Sequence, residues 1–321
     1  GKWLVTTDTT NVEIYEINPN GNIVLNYEIP GGNYNLDQWT NIQVNNAGNT
    51  IACIRNDEIF VYKDNANSII QYHSSGSKRM FKNISMDDNG DRISFSSYIS
   101  YYKPHQVGAL YLNSNTTVIK KTDCFQYAQK NSSSCISGDG RVVYAVSPTN
   151  TSKYVLGDEE LSLSYTPPDQ TTEDKNIDNK MADLNKDGSI MATITATTIE
   201  KLNTEKYSEQ GTIYKICAFR DSKEEPIKKL ERFGAKFVKP HIIKINAEGN
   251  VVAVLLQRTN NSYSVVIYYY DGSVWKEHSE TDVKATHNKK INTYDMRIDD
   301  SGKQIVVWNS DIGVRLLRYS E

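Results

Sequence analysis

The segment IKINAEGNVVAVL, residues 243–255, decides the fold. Ile243 and Ile245 flank Lys244, a period of two that belongs to an extended strand with one apolar face. Gly249 follows among short polar residues, which is hairpin chemistry, because a glycine takes a positive φ at little steric cost. From Val251 the chain turns apolar again and opens a second strand.

This pattern recurs along the chain. Aligned glycines stand at Gly48, Gly90, Gly140, Gly188, Gly249 and Gly302, with spacings of 42, 50, 48, 61 and 53 residues. Four positions before each come Val44, Met86, Ile136, Leu184, Ile245 and Ile298. Six before come Ile42, Ile84, Ser134, Ala182, Ile243 and Met296. Between them lies a polar column of Gln43, Ser85, Cys135, Asp183, Lys244 and Arg297. Three positions after the glycine, Ile51, Ile93, Val143, Met191, Val252 and Ile305 lie in the second strand. Third strands are legible as EIFVYK (58–63), GALYLN (108–113), TIYKICAF (212–219), SVVIYYY (264–270) and VRLLRY (314–319). NSIIQYHS (67–74) and TTVIKKT (116–122) read as outer fourth strands.

GKWLVTT at the start matches SGKQIVVW around Gly302, so Gly1 reads as a seventh repeat glycine, with NVEIYEIN and NIVLNYEI as third and fourth strands. Four-stranded antiparallel units recurring about every fifty residues predict an all-β, seven-bladed β-propeller spanning residues 1–321 as one domain. Six blades plus surplus strands is the alternative. The terminal blades are incomplete, one lacking its innermost strand and one its outermost, which leaves open edges that another chain could extend. Two stretches break the rhythm, at about 157–180 and 199–210, and both are expected to be loop insertions.

The polar-glycine hairpin and third strands such as VRLLRY resemble the WD-repeat superfamily of propellers, although its Gly-His and Trp-Asp dipeptides are absent. What this resemblance implies is a platform for protein partners.

Composition agrees with an all-β chain, since 21 Tyr and 7 Phe among 321 residues suit pleated surfaces. A net charge of -3 provides no field for a polyanion, so nucleic acid is not an expected partner. No apolar run is long enough to cross a bilayer as a helix. Gly1 rather than Met opens the chain, which reads as removal of an upstream segment, a cleaved secretory signal being one form.

Candidate sites are sparse. Asp183, Asn185 and Asp187 have the oxygen spacing of a calcium loop, but Ile194 stands where the motif asks for Glu, and a plain turn accounts for the same residues. His73, His105, His241, His278 and His287 lack metal-ligand spacing. Acidic pairs such as Glu159-Glu160 and Asp299-Asp300 leave a two-carboxylate hydrolase open, while nucleophile-elbow, P-loop and dinucleotide signatures are missing. Cys124 and Cys135 are the disulfide candidate in an oxidising compartment, with two buried thiols as the other reading. Gln43, Ser85, Asp183, Lys244 and Arg297 are candidates to face a central channel, where they satisfy one another. N-x-[ST] acceptors occur at Asn83, Asn115, Asn131, Asn150 and Asn260, a count that composition alone would produce.

The resulting expectation is a protein with no enzymatic activity and no cofactor. It is expected to be an extracellular glycoprotein with a structural or adhesive role, binding protein partners and its own copies through open strand edges. An intracellular scaffold is the alternative, followed by a carbohydrate-binding or glycoside-processing propeller.

Overall fold

The computed structural model describes residues 3–7, 11–20, 22–30, 40–55, 58–63, 68–72, 80–98, 106–112, 117–122, 133–146, 151–156, 161–165, 181–204, 207–220, 223–232, 238–259, 262–284, 295–309 and 313–319. Its twenty-six strands form seven antiparallel sheets, the blades of a β-propeller. Blade 1 consists of Trp3–Thr7, Asn11–Ile17 and Ile23–Pro30. Blade 2 consists of Thr40–Val44, Ile51–Arg55, Glu58–Lys63 and Ser68–Tyr72, and blade 3 of Met80–Met86, Arg92–Tyr98, Gln106–Leu112 and Thr117–Thr122. Blade 4 contains Ser133–Ile136, Val142–Val146, Thr151–Leu156 and Leu161–Tyr165. Blade 5 contains Met181–Leu184, Ile190–Thr204, Tyr207–Arg220 and Lys223–Arg232. Blade 6 runs through Lys239–Ile245, Val251–Thr259, Ser262–Tyr270 and Trp275–Lys284. Blade 7 has Asp295–Ile298, Gln304–Asn309 and Gly313–Arg318.

The chain divides into two compact units, residues 1–145 with 151–166 and residues 146–150 with 167–321. In each unit the core is a series of apolar seams between consecutive blades. Blade 2's second strand shows the rule: Ile51 and Cys53 join Val12 and Ile14 of blade 1, whereas Ala52 and Ile54 join Ile84, Ile93 and Phe95 of blade 3. In blade 6, Val252, Val254 and Leu256 face the blade 5 seam while Ala253 and Leu255 face blade 7. A strand covered on both faces needs apolar residues at every position, which explains the unbroken run after each glycine.

The six repeat glycines all have positive φ, and the residue two positions after one glycine packs on the next blade's glycine. Thr50 lies on Gly90, Arg92 on Gly140, Ile190 on Gly249 and Val251 on Gly302. Trp3 occupies the same place on Gly48 and donates its indole N–H to the Asn46 carbonyl at 3.1 Å. This supports counting Gly1 in the repeat.

The 199–210 stretch, expected as a loop, is a correction. It continues the blade 5 hairpin, with Ile199 paired to Gly211, Lys201 to Glu209 and Leu202 to Ser208. Charged residues do not exclude a strand, and Thr, Ile and Tyr favour the pleat. Within the other expected insertion, Leu161–Tyr165 is the fourth strand of blade 4, and the remainder lies outside the described residues.

Candidate functional site

Each hairpin turn opens on a short polar residue three before the glycine: Asn45, Asp87, Ser137, Asn185, Asn246 and Asp299. The side-chain oxygen caps the turn from inside. Asn45 Oδ1 accepts from the N–H groups of Asn49 and Thr50, Asp87 Oδ1 from Asp91 and Arg92, and Asn246 Oδ1 from Asn250 and Val251. Ser137 Oγ, Asn185 Oδ1 and Asp299 Oδ1 accept from Val142, Ile190 and Gln304. Because a buried polar group without a partner is costly, each cap must be short and oxygen-bearing. Sequence reasoning missed this column, although it is readable as Asn, Asp or Ser at one fixed offset.

The turns also bond forward to the next blade. Asn46 N–H donates to the Asp88 carbonyl at 3.0 Å, Asp88 N–H to Gly138 at 2.8 Å, and Lys186 N–H to Ala247 at 3.3 Å. Asn45 Nδ2 donates to the Asn89 carbonyl and Asn246 Nδ2 to that of Asp300.

First strands carry a second set of bridges, built from the polar column. Asp183 of blade 5 pairs with Lys244 of blade 6 at 3.0 Å and accepts the Ile245 N–H on its other oxygen. Ser85 of blade 3 accepts the Ile136 N–H of blade 4 at 3.4 Å. Gln43 and Arg297 lie at the matching places on the first strands of blades 2 and 7, half-buried. Ser85, Asp183 and Lys244 of this column tie one blade to the next.

The calcium-loop residues are held apart for separate tasks. Asp183 is committed to blade 6, Asn185 caps its turn, and Asp187 accepts from Ser189 N–H and hydroxyl, the latter holding its carboxyl below the usual range. Among the described residues no three His, Cys, Asp or Glu gather in a metal-binding arrangement. Asp183 thus serves the contact with blade 6 and Asn185 the turn cap, which is the plain-turn use of these residues.

Asn83 lies at the joint between blades 3 and 4. Its Oδ1 accepts from the Ser134 N–H at 2.9 Å and from the hydroxyls of Ser134 and Ser96, while its Nδ2 donates to the Ser134 carbonyl. These bonds bridge blades 3 and 4 through the same amide that a glycan would occupy. The acceptors Asn115, Asn131, Asn150 and Asn260 lie outside the described residues, as does Cys124.

Cys135 is buried on the first strand of blade 4. Cys53 and Cys217 are free thiols, and burial pushes both well above the ordinary thiol range, with the Glu224 carboxylate adding to the effect at Cys217. They behave as small core residues rather than nucleophiles. His241 is lowered by burial and shares a 2.9 Å contact between Nε2 and Gln257 Oε1.

Where outer strands of blades 5 and 6 meet, Trp275 donates its indole N–H to Glu225, whose other oxygen lies 3.4 Å from Arg220. The Arg220 guanidinium lies 4.8 Å from the Tyr270 ring centroid, and Lys228 pairs with Glu277 at 3.1 Å. Blade 7 has no fourth strand among the described residues. The outward edge of Gly313–Arg318 therefore presents a third strand, with Arg315 and Arg318 exposed and its register to Gln304–Asn309 unbroken.

No known family profile matches the chain, and no curated protein matches it in sequence. Solved structures do resemble it. Hydrazine synthase of Kuenenia stuttgartiensis matches with a TM-score of 0.66 at 12% identity, over 100% of this chain and 93% of that one. The β-propeller domain of Myceliophteria thermophila Cps50 (Swd1) matches with 0.60 at 8% identity, over 99% and 94%. The periplasmic gluconolactonase of Pseudomonas aeruginosa matches with 0.59 at 12% identity, over 99% and 91%. At these identities the likeness shows the propeller fold. It also corrects the expectation that the chain lacks enzymatic activity. Hydrazine synthase and gluconolactonase are enzymes, so the fold gives no ground for excluding catalysis, and their low identity assigns none here. No helix among the described residues is long and apolar enough to cross a membrane.

Proposed function

We propose that the chain is an interaction propeller, its two units forming one domain, that binds protein partners and its own copies by strand addition. The observation that carries this reading is the edge of Gly313–Arg318. Five sheets hold a fourth strand on their third, and blade 7 presents the same backbone row with none described. A row of unpaired N–H and C=O groups is a template for an extended segment. The outer pairing carries register shifts in blades 1, 4, 5 and 6 and is regular in blades 2 and 3. Such bulges discourage edge pairing; the blade 7 edge lacks one, as do the outer pairs of blades 2 and 3, whose third strands are already covered.

Register names the preferred partner. Opposite Val266 in blade 6, at the place of Arg315, stands Glu280. A strand with an acidic residue there complements Arg315, and exposed Arg318 extends the positive edge. The role is structural or adhesive in an extracellular setting, with glycans on Asn115, Asn131, Asn150 and Asn260 and a Cys124–Cys135 disulfide.

Sedimentation over a range of concentrations, beside a peptide-display selection on the immobilised chain, tests this reading. Concentration-dependent assembly and enrichment of acidic, strand-forming peptides are expected, both lost in the Arg315→Glu/Arg318→Glu variant. A monomer at every concentration overturns self-association, and selected peptides indifferent to the two arginines overturn strand addition at this edge. Intact mass of chain secreted from eukaryotic cells tests the extracellular reading: glycan on those four asparagines supports it, and an unmodified chain with four thiols contradicts it.

A further inference from the structure

The turn of blade 3 differs from its neighbours in one chemical respect. Asn45 and Asn246 use one side-chain atom to cap their own turn and the other, Nδ2, to donate to a carbonyl in the following turn. Asp87 caps in the same way, with Oδ1 accepting from Asp91 and Arg92, but its remaining atom is an oxygen. That Oδ2 sits against the blade 4 turn, 2.7 Å from where a Cβ on Gly140 would stand. Asn185 Nδ2 approaches Gly249 in the equivalent way, at 3.2 Å. By position, the counterpart of the Asn89 carbonyl used by Asn45 is that of Asp139. A carboxylate has only acceptor oxygens to offer a carbonyl, whereas a carboxylic acid has one O–H to donate.

We propose that Asp87 makes the joint between blades 3 and 4 proton-responsive: protonated, it donates to the blade 4 turn as Asn45 donates to the blade 3 turn, and ionised it leaves that bridge unmade.

The surroundings shift the balance toward the proton-bound form. Asp87 is 3% exposed, and burial raises its pKa above the ordinary carboxylate range, with the Asp91 charge acting in the same direction against the backbone N–H donors. From its own turn Asp88, Asp91 and Arg92 are the charged neighbours, and Arg92 sends its guanidinium to the Gly140 carbonyl at 2.9 Å. From blade 4 come Asp139 and Arg141, Asp139 holding the Ser137 hydroxyl and the Arg141 N–H. From blade 2, Lys63 pairs with Asp91 at 3.3 Å. A carboxyl whose folded pKa is raised binds its proton more tightly when folded. The joint is therefore firmest below the ordinary carboxylate pKa and loosens as pH rises through the folded value.

The test is hydrogen exchange at the Asp88 amide, which donates to the Gly138 carbonyl at this joint, followed from about pH 4 to about pH 7 and corrected for intrinsic exchange. Protection in the wild type is expected to fall about fivefold across that range, the equivalent of one ordinary hydrogen bond. Asp87→Asn supplies a permanent donor, so its protection stays high and flat. Asp87→Ala loses the cap and is less protected at every pH. Equal pH dependence in the wild type and the Asn variant, or lower protection in the Asn variant near pH 7, overturns the proposal. Should the Asn variant not fold, the carboxyl 13C titration of Asp87 in the wild type decides. A midpoint above 3.8 that coincides with the Asp88 amide shift supports the proposal, and a midpoint at or below it refutes it.

Discussion

Replacing Gly302 by Ala measures how tightly consecutive blades are fitted. Gly302 has φ of 77°, and an added Cβ would stand 2.7 Å from both Cβ and Cγ2 of Val251 in blade 6. Rotation of the valine cannot relieve the first of these contacts, because Cβ is fixed by the backbone of its strand. An L-residue in the left-handed region costs about 1–2 kcal/mol, and an overpacked methyl about 1–3 kcal/mol, so Gly302→Ala should destabilise by about 2–5 kcal/mol. Gly272 is the control, since its φ is 95° but nothing lies within 4 Å of an added Cβ. Gly272→Ala then carries the backbone cost alone, about 1 kcal/mol once the reduced freedom of the unfolded chain is counted. Urea unfolding followed by tryptophan fluorescence gives both values. Equal losses in the two variants would refute the claim that a blade 6 side chain is seated on the blade 7 turn.

Further outcomes follow from the same geometry. Asp183→Ala leaves the Lys244 ammonium and the Ile245 N–H without their acceptor, and should cost about 1–3 kcal/mol in the same urea assay. Asn246→Ala removes a cap that takes two N–H groups and a donor that reaches blade 7, and a loss of about 2 kcal/mol is expected. Tyr27 donates its hydroxyl to the Gly48 carbonyl, and burial raises its pKa from 10.0 to about 12. Folding keeps this phenol protonated, so its contribution is intact below pH 10 and is lost as pH rises through about 12. Alkaline melts should show that loss, and Tyr27→Phe should flatten it. In chain secreted from eukaryotic cells, the peptide containing Asn83 should be unmodified by mass spectrometry.

Much of the architecture was legible because the repeat glycine answers to two constraints at once, a left-handed backbone and a side chain seated on it. A position that tolerates one residue leaves a mark in a single sequence. The continuous apolar second strands were equally plain, since burial on both faces removes alternation. The bridge from Asn83 to Ser134 was not legible, because it depends on a residue 51 positions away. At Asp183, Asn185 and Asp187 hairpin capping and ion ligation draw on the same short oxygen-bearing side chains, so the sequence offered the plain turn beside the calcium loop. Residues 199–210 were misread by composition, because a two-stranded ribbon in water can be as polar as a loop. The capping column at Asn45, Asp87, Ser137, Asn185, Asn246 and Asp299 was available to sequence reasoning, at one fixed offset from the glycines already aligned.

Hydrogen exchange at the turn amides of Asn46 and Lys186 tests most directly whether consecutive sheets are joined edge over turn. Both residues are exposed, and each amide donates forward, to the carbonyls of Asp88 and Ala247 in the following blades. The propeller packing described here predicts slow exchange at both, comparable to that of the flanking strands. Fast, unprotected exchange at these two positions beside protected strands would mean that the sheets fold without docking on one another, contrary to the account.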